Sequence, residues 1–142
     1  MAQFLKLISY PLTVLHYIVF GSLLLFFHPV QWIAFNLFGK KAHRVTVIAL
    51  NICLTWSLYF LFSRVEFINK HKIPKNVPII IVSNHQSTYD IPPIYRNLWK
   101  IYPNFVSKIE LGKGIPSVSY NLRHGDSVLI DRKDPRQAIN TL

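Results

Sequence analysis

Two long stretches without a charged side chain dominate the first half of this 142-residue sequence. Residues 7–39 contain no Asp, Glu, Lys or Arg, and residues 45–63 form a second uncharged run of 19 residues. About 20 consecutive apolar residues are enough for a helix to cross the hydrocarbon layer of a bilayer. Each run is therefore long enough to cross a membrane or to lie deep within it. Four residues interrupt the first run and argue against one straight span: Pro11, His16, His28 and Pro29.

The segment between the two runs has the composition of a turn, because Gly39 is followed by a cluster of cations. We therefore predict a membrane-embedded hydrophobic helical hairpin over residues 1–63, followed by a folded domain over residues 64–142. The alternative is a pair of buried helices in a soluble protein, although soluble helices usually carry a polar face. The cations at the tip of the predicted hairpin are Lys40, Lys41 and Arg44.

The charge of the chain favours a membrane surface as its partner. The formal net charge is +10, and the first 76 residues hold eight Lys and Arg against Glu66 alone. Cations lie before, at the tip of and after the hairpin, so they give no clear positive-inside orientation. A hairpin embedded from the cytoplasmic side would place all of them on anionic headgroups, and no nucleic-acid partner is predicted. The cations outside the tip are Lys6, Arg64, Lys70, Lys72 and Lys75.

The second half of the chain alternates strand and helix signals. Strands are predicted over residues 77–82, 105–111 and 127–130. Helices are predicted over residues 93–100, from Pro116 to residue 122, and from Pro135 onward with Asp134 as N-cap. The predicted fold class is therefore α/β: an N-terminal hydrophobic helical hairpin followed by the first part of an αβ domain.

Residues 84–90, with the sequence NHQSTYD, directly follow the first predicted strand. Side chains at the end of such a strand tend to lie in a cleft where ligands bind. His85 can take up a proton near neutral pH and Asp90 can orient it, which is the arrangement of a general base acting on a hydroxyl. The two side chains converge only if a tight turn separates them. Alternatively, Asp90 caps the next helix together with Ser87, and His85 is an ordinary loop histidine.

Two cations lie at or near the ends of predicted strands. Lys108 lies on the second strand and Arg132 follows the third, where either side chain could hold a phosphate. The alternative is that each is a solvated surface charge. Period-two alternation places Lys108 and Glu110 on the same side of the second strand, where they could form a weak salt bridge.

Three sequence blocks, in this order, resemble the glycerolipid acyltransferases, and most of all the bacterial 1-acyl-sn-glycerol-3-phosphate acyltransferases. Residues 84–90 match the family's N-H-x4-D signature. Residues 105–111 resemble its F-V-x-K-x-E-L segment, and residues 125–132 resemble the segment that runs from a glycine to I-D-R. The N-terminal hydrophobic hairpin is also as in this family.

The resemblance implies transfer of a fatty acyl chain from acyl-ACP or acyl-CoA to the free hydroxyl of lysophosphatidic acid. The product would be phosphatidic acid, made for phospholipid biosynthesis at the cytoplasmic side of the bacterial inner membrane. His85 would be the general base and Asp90 would fix its tautomer. Lys108 and Arg132 would bind the acceptor's phosphate, and Asn84 would shape the turn beside the substrate. No metal and no cofactor beyond the acyl thioester is implied.

The sequence also departs from the family pattern. Ser119 stands where the family usually has a glycine, and the Glu-Gly-Thr-Arg block, whose arginine binds phosphate, does not occur. Because residue 142 falls within an unfinished predicted helix, we expect the acyltransferase domain to be incomplete. Two alternatives remain open: an acyltransferase for another lysophospholipid or for glycerol 3-phosphate, and an inactive membrane-anchored fragment.

Overall fold

The computed structural model describes residues 2–74 and 77–141. Lys75 and the side chain of Lys6 lie outside the described part. The first element is the helix α1, Ala2–Ser57, which is broken at Gly39 (φ 77°, ψ −172°). Only glycine adopts such a conformation without steric cost, so Gly39 separates two helical arms. The first arm stays helical through Pro11 and Pro29, contrary to the expected interruption. Proline's fixed φ is compatible with a helix, so each proline removes one backbone hydrogen bond without ending the arm.

The two arms of α1 pack against each other in antiparallel fashion. Leu24 of the first arm forms an apolar core with Leu50 and Leu54 of the second. Nearer the open end of the hairpin, Nδ1 of His16 lies 3.1 Å from the carbonyl oxygen of Ser57. The predicted hydrophobic hairpin is therefore confirmed, with its turn at the predicted glycine.

The hairpin exposes a broad apolar surface. By length and composition, the described part of the chain contains one helix able to cross a membrane, Leu7–Leu61, which includes both arms. A soluble helix with such a surface would be covered by other elements, whereas a helix in contact with lipid keeps it exposed. Large side chains of the first arm that are at least half exposed include Leu7, Tyr10, Val14, Tyr17, Ile18, Leu25, Phe26, Trp32, Leu37 and Phe38.

A small α/β unit follows the hairpin, as the fold-class prediction requires. Its two short strands pair in parallel, with Val106 opposite Val128 and Lys108 opposite Ile130. Asp134 caps the last helix by accepting hydrogen bonds from the backbone N–H groups of residues 136 and 137. In chain order the elements are α2 (Ile91–Asn97), β1 (Val106–Lys108), α3 (Val118–His124), β2 (Val128–Ile130) and α4 (Pro135–Thr141).

Two strand predictions are wrong in part or whole. Residues 77–82 form no strand, and Ile80 and Val82 are 94% and 90% exposed. A strand needs a hydrogen-bonding neighbour, and in the described part of the chain β1 and β2 pair only with each other. The strand predicted over residues 105–111 ends at Lys108, because Ile109–Gly112 forms a 3₁₀ turn. Glu110 therefore does not share a strand face with Lys108, and the described residues show no salt bridge between them.

The hairpin lies along the α/β unit through α3. The hydroxyl of Ser117, at the N-terminus of α3, donates to the carbonyl of Leu24 at 2.7 Å, and its backbone N–H donates to Nδ1 of His28 at 3.1 Å. Ser117 is fully buried. Ser119, which replaces the family's usual glycine, bridges the loop before α3: its hydroxyl donates to the carbonyl of Leu111 and accepts from the N–H of Ile115. These contacts fix α3 against the first arm.

The tip of the hairpin also contacts the α/β unit. The carboxylate of Asp126 binds Lys40 and Arg44, with Nε of Arg44 at 3.1 Å from Oδ2. The hydrogen bond from Lys40, followed by the contacts with Arg44, lowers the pKa of Asp126 below its usual range, although partial burial opposes this. Two of the three tip cations thus lie against a carboxylate, whereas the sequence predicted them on headgroups. Lys41 is exposed.

We predict that Asp126→Asn destabilises the fold by about 1–2 kcal/mol at neutral pH, since two cations lose their partner. A carboxyl whose folded pKa is lowered stabilises above its unfolded pKa, near 4, and that contribution is lost as pH falls through the folded pKa. The difference in unfolding temperature between Asp126→Asn and the wild type, measured in detergent, should therefore become smaller as the pH is lowered. Glu66→Gln, which removes an exposed pair with Arg64, is the control and should leave stability unchanged. An equal loss of stability in Asp126→Asn and Glu66→Gln would contradict a specific role for Asp126.

Candidate active site

Residues 84–90 form a tight turn that leads into α2. Ser87 is extended (φ −149°, ψ 152°) and precedes the 3₁₀ turn Thr88–Asp90. Its hydroxyl accepts from the N–H of Tyr89 at 3.3 Å, and Oδ2 of Asp90 accepts from the N–H groups of Gln86 and Ser87 at 2.9 and 3.0 Å. This is a reciprocal capping box, so the structural role considered for Asp90 is present.

The same turn brings His85 and Asp90 together. Nδ1 of His85 lies 3.2 Å from Oδ2 of Asp90, the oxygen that also accepts the two backbone N–H groups. Capping and histidine orientation therefore coexist on one carboxylate. A neutral imidazole that donates from Nδ1 has its lone pair on Nε2. The His85 side chain is 57% exposed, so Nε2 is open to an incoming hydroxyl.

The environment of Asp90 keeps its carboxyl ionised. The hydrogen bonds from the backbone N–H of Ser87 and then of Gln86 lower the pKa of Asp90, and its contact with His85 contributes less. Partial burial acts in the opposite direction. An ionised carboxylate is the form that can fix the histidine tautomer and stabilise an imidazolium.

An open cleft of about 460 Å³ is lined by Asp90, although His85 is not among its lining residues. Asn84 and Asp90 form its polar side, and Asn84 is exposed to it. A second, more apolar groove of about 530 Å³ shares Ser83 and Ile94 with the first. The apolar residues that line the second groove include Phe67, Ile73, Ile79, Ile81, Ile94 and Leu98. A polar reaction site thus adjoins a surface that suits a hydrocarbon chain.

Tyr89 is a residue of this turn that sequence reasoning missed. Its ring packs edge-on against His16 and Phe20 of the hairpin, with centroid separations of 5.3 and 5.5 Å. It also lines the first cleft. The one available signal was an aromatic residue between the histidine and the aspartate, but nothing in the sequence indicated which surface it would contact.

Lys108 and Arg132 lie at the same edge of the small sheet. Lys108 ends β1 opposite Ile130, and Arg132 follows two residues after Ile130. Both cations are exposed, and neither side chain forms a hydrogen bond or ion pair among the described residues. No hydrogen bond joins them to His85 or Asp90 in that part of the chain. The structure therefore brings together the histidine and the aspartate, and separately places the two cations on one edge.

Residues 64–142, more than half of the chain, match the family model described as Acyltransferase. Comparison with curated proteins and with solved structures gave no match. Within residues 2–74 and 77–141, no group of three or more His, Cys, Asp and Glu side chains could hold a metal ion.

We predict that His85 in the neutral state is the Nδ1–H tautomer, because its Nδ1 faces the Asp90 carboxylate. ¹⁵N NMR of histidine-labelled protein in detergent distinguishes this form from Nε2–H. Asp90→Ala should shift the population of His85 toward Nε2–H. Asp134→Ala, which removes another helix-capping aspartate, should leave the His85 signals unchanged. An Nε2–H tautomer in the wild type would contradict the assigned orientation.

Proposed function

The chain belongs to the acyltransferase family, and we propose that it acylates 1-acyl-sn-glycerol-3-phosphate to give phosphatidic acid. The acyl donor is a thioester, either acyl-ACP or acyl-CoA. The observation that carries the proposal is the contact between Nδ1 of His85 and Asp90, made by an exposed histidine whose partner Asp90 lines the cleft. A general base for a hydroxyl needs this combination of orientation and access.

The proposed reaction needs no covalent enzyme intermediate. Nε2 of His85 takes the proton of the acceptor's hydroxyl while the oxygen attacks the thioester carbonyl. The tetrahedral intermediate collapses, the carbon–sulfur bond breaks, and the imidazolium returns its proton to the leaving thiolate. Asp90 stabilises the imidazolium and holds the ring in position, which is the role of the carboxylate in a catalytic triad.

The two clefts suggest how the substrates divide between them. The apolar groove suits a fatty acyl chain, because burial of each CH₂ group contributes about 0.8 kcal/mol and its walls are mainly isoleucine, leucine and phenylalanine. The cleft lined by Asn84, Tyr89 and Asp90 suits the reacting hydroxyl and carbonyl. Lys108 and Arg132, both without partners among the described residues, are proposed to bind the acceptor's phosphate.

The hairpin is proposed to anchor the enzyme in one leaflet of the bacterial inner membrane, on the cytoplasmic side. A hairpin perpendicular to the bilayer would carry its tip about 30 Å away, to the opposite face. Lys40 and Arg44 at the tip instead bind Asp126 of the α/β unit. If the hairpin lies along the membrane surface, the exposed apolar side of the first arm contacts lipid while the tip still binds Asp126.

Another acceptor is the second candidate, because the proposed cation pair recognises only a phosphate. Glycerol 3-phosphate and other lysophospholipids also carry a phosphate, and exposed Lys108 and Arg132 provide no contact that distinguishes among them. Acceptor preference is measured by comparing kcat/KM for lysophosphatidic acid, glycerol 3-phosphate and a lysophospholipid with a larger headgroup. The highest value for lysophosphatidic acid supports the proposed reaction.

We predict that His85→Ala lowers acyl transfer by about 10²–10⁴-fold, which is the usual contribution of general-base catalysis. Turnover is measured in lipid vesicles with lysophosphatidic acid and an acyl thioester. His71→Ala removes another exposed histidine, which lines neither the cleft nor the apolar groove, and should leave turnover unchanged. Full turnover in His85→Ala would overturn the general-base assignment, and no turnover in the wild type would favour an inactive anchored fragment.

Lys108→Ala and Arg132→Ala are predicted to raise the KM for lysophosphatidic acid by about tenfold or more each, since a hydrogen bond to a charged group contributes about 1.5–3 kcal/mol. Their effect on kcat should be smaller. Lys133→Ala is the control, because this neighbouring lysine is also exposed but lies one residue farther from the strand. An acceptor KM that changes equally in all three variants would indicate a general charge effect.

A further inference from the structure

The side chain of Tyr89 packs against one turn of the hairpin's first arm. The rings of His16 and Phe20 contact its ring edge-on, at centroid separations of 5.3 and 5.5 Å. Desolvation and a hydrogen bond with Tyr17 raise the pKa of the Tyr89 hydroxyl. The tyrosine therefore contacts three residues of the hairpin, although it belongs to the turn between His85 and Asp90.

Both arms of the hairpin help to fix the position of the His16 ring that contacts Tyr89. His16 is fully buried, and its Nδ1 lies 3.1 Å from the carbonyl oxygen of Ser57 at the end of the second arm. A displacement of either arm would therefore move the His16 ring. Because side chains in a packed interior have little free space, such a movement is transmitted to the rings in contact with it.

Tyr89 is joined to the His85–Asp90 pair through the backbone of the turn. Its N–H donates to the hydroxyl of Ser87, and the N–H of Ser87 donates to the same Asp90 oxygen that faces His85. Besides these hydrogen bonds, the side chains of Asn84, His85 and Gln86 are exposed. Among the described residues of the turn, Tyr89 is the one whose ring contacts the hairpin.

We propose that Tyr89 is a positioning residue through which the hairpin fixes the alignment of His85 with Asp90. This inference rests on the proposed acyl transfer and adds a residue that acts through the base, although its side chain also lines the cleft. A misplacement of about 1 Å at a reacting group costs on the order of 10²-fold in rate. Loss of the Tyr89 ring should therefore reduce kcat while substrate binding is retained.

The test uses conservative and disruptive variants of the full chain in lipid vesicles. Tyr89→Leu removes the ring, and we expect kcat to fall about 10–100-fold with the KM for lysophosphatidic acid within about threefold of the wild type. Tyr89→Phe keeps both ring contacts and should restore most of kcat. Tyr59→Leu is the matched control, because Tyr59 is a half-exposed tyrosine at the end of the hairpin whose hydroxyl is 3.5 Å from Arg96 of α2.

A change on the hairpin provides the second arm of the test. Phe20→Leu removes one of the two ring contacts with Tyr89 without altering the turn. We therefore expect kcat to fall by a smaller factor than in Tyr89→Leu. In the double variant, Phe20→Leu should add no further loss, because its effect passes through Tyr89. If Tyr89→Leu does not fold, the single variant Phe20→Leu still tests whether the hairpin contact affects kcat.

The tautomer of His85 distinguishes positioning from general destabilisation. In folded Tyr89→Leu protein, ¹⁵N NMR should show a reduced population of the Nδ1–H form, whereas Tyr59→Leu should match the wild type. Wild-type kcat and tautomer in both Tyr89→Leu and Phe20→Leu would overturn the inference while leaving the base intact. Full activity in His85→Ala would instead overturn the proposed function.

Discussion

The structure depends on the packing of the hairpin's inner side along the α/β unit. Its contacts include His16 and Phe20 with Tyr89, Leu24 and His28 with Ser117, and the tip with Asp126. The α/β unit has only two short paired strands in its described part, which bury little surface by themselves. The apolar hairpin therefore acts as the second layer of the fold as well as the proposed membrane anchor.

This packing gives the candidate site its form. One oxygen of Asp90 accepts hydrogen bonds from two backbone N–H groups and also faces His85. The capping interaction that precedes α2 therefore also orients the proposed base. The turn has little packing of its own apart from Tyr89. The proposed membrane attachment and the proposed base are thereby connected through a few aromatic contacts, which would give a physical reason for the site to lie against the hairpin.

Local patterns predicted much of this arrangement. Gly39 between two uncharged runs predicted the hairpin, Asp134 and Pro135 predicted the last helix, and the spacing of His85 and Asp90 predicted a pair that needs a tight turn. Residues 77–82 failed as a strand because pairing depends on a neighbour that a local pattern does not specify. The contacts of Asp126 with the tip, and of Tyr89 with His16, join positions distant in sequence, so no local signal indicated them.

The central claim, that the hairpin lies along the α/β unit in the membrane, can be tested by zero-length cross-linking. Carbodiimide joins an amine to a carboxylate only when the two are in contact, as Nζ of Lys40 and Asp126 are. Applied to the wild-type chain in lipid vesicles and followed by mass spectrometry, it should yield a Lys40–Asp126 isopeptide that is absent from Asp126→Asn. Absence of this cross-link in the wild type, with Lys40 accessible only from the opposite side of the bilayer, would contradict the account.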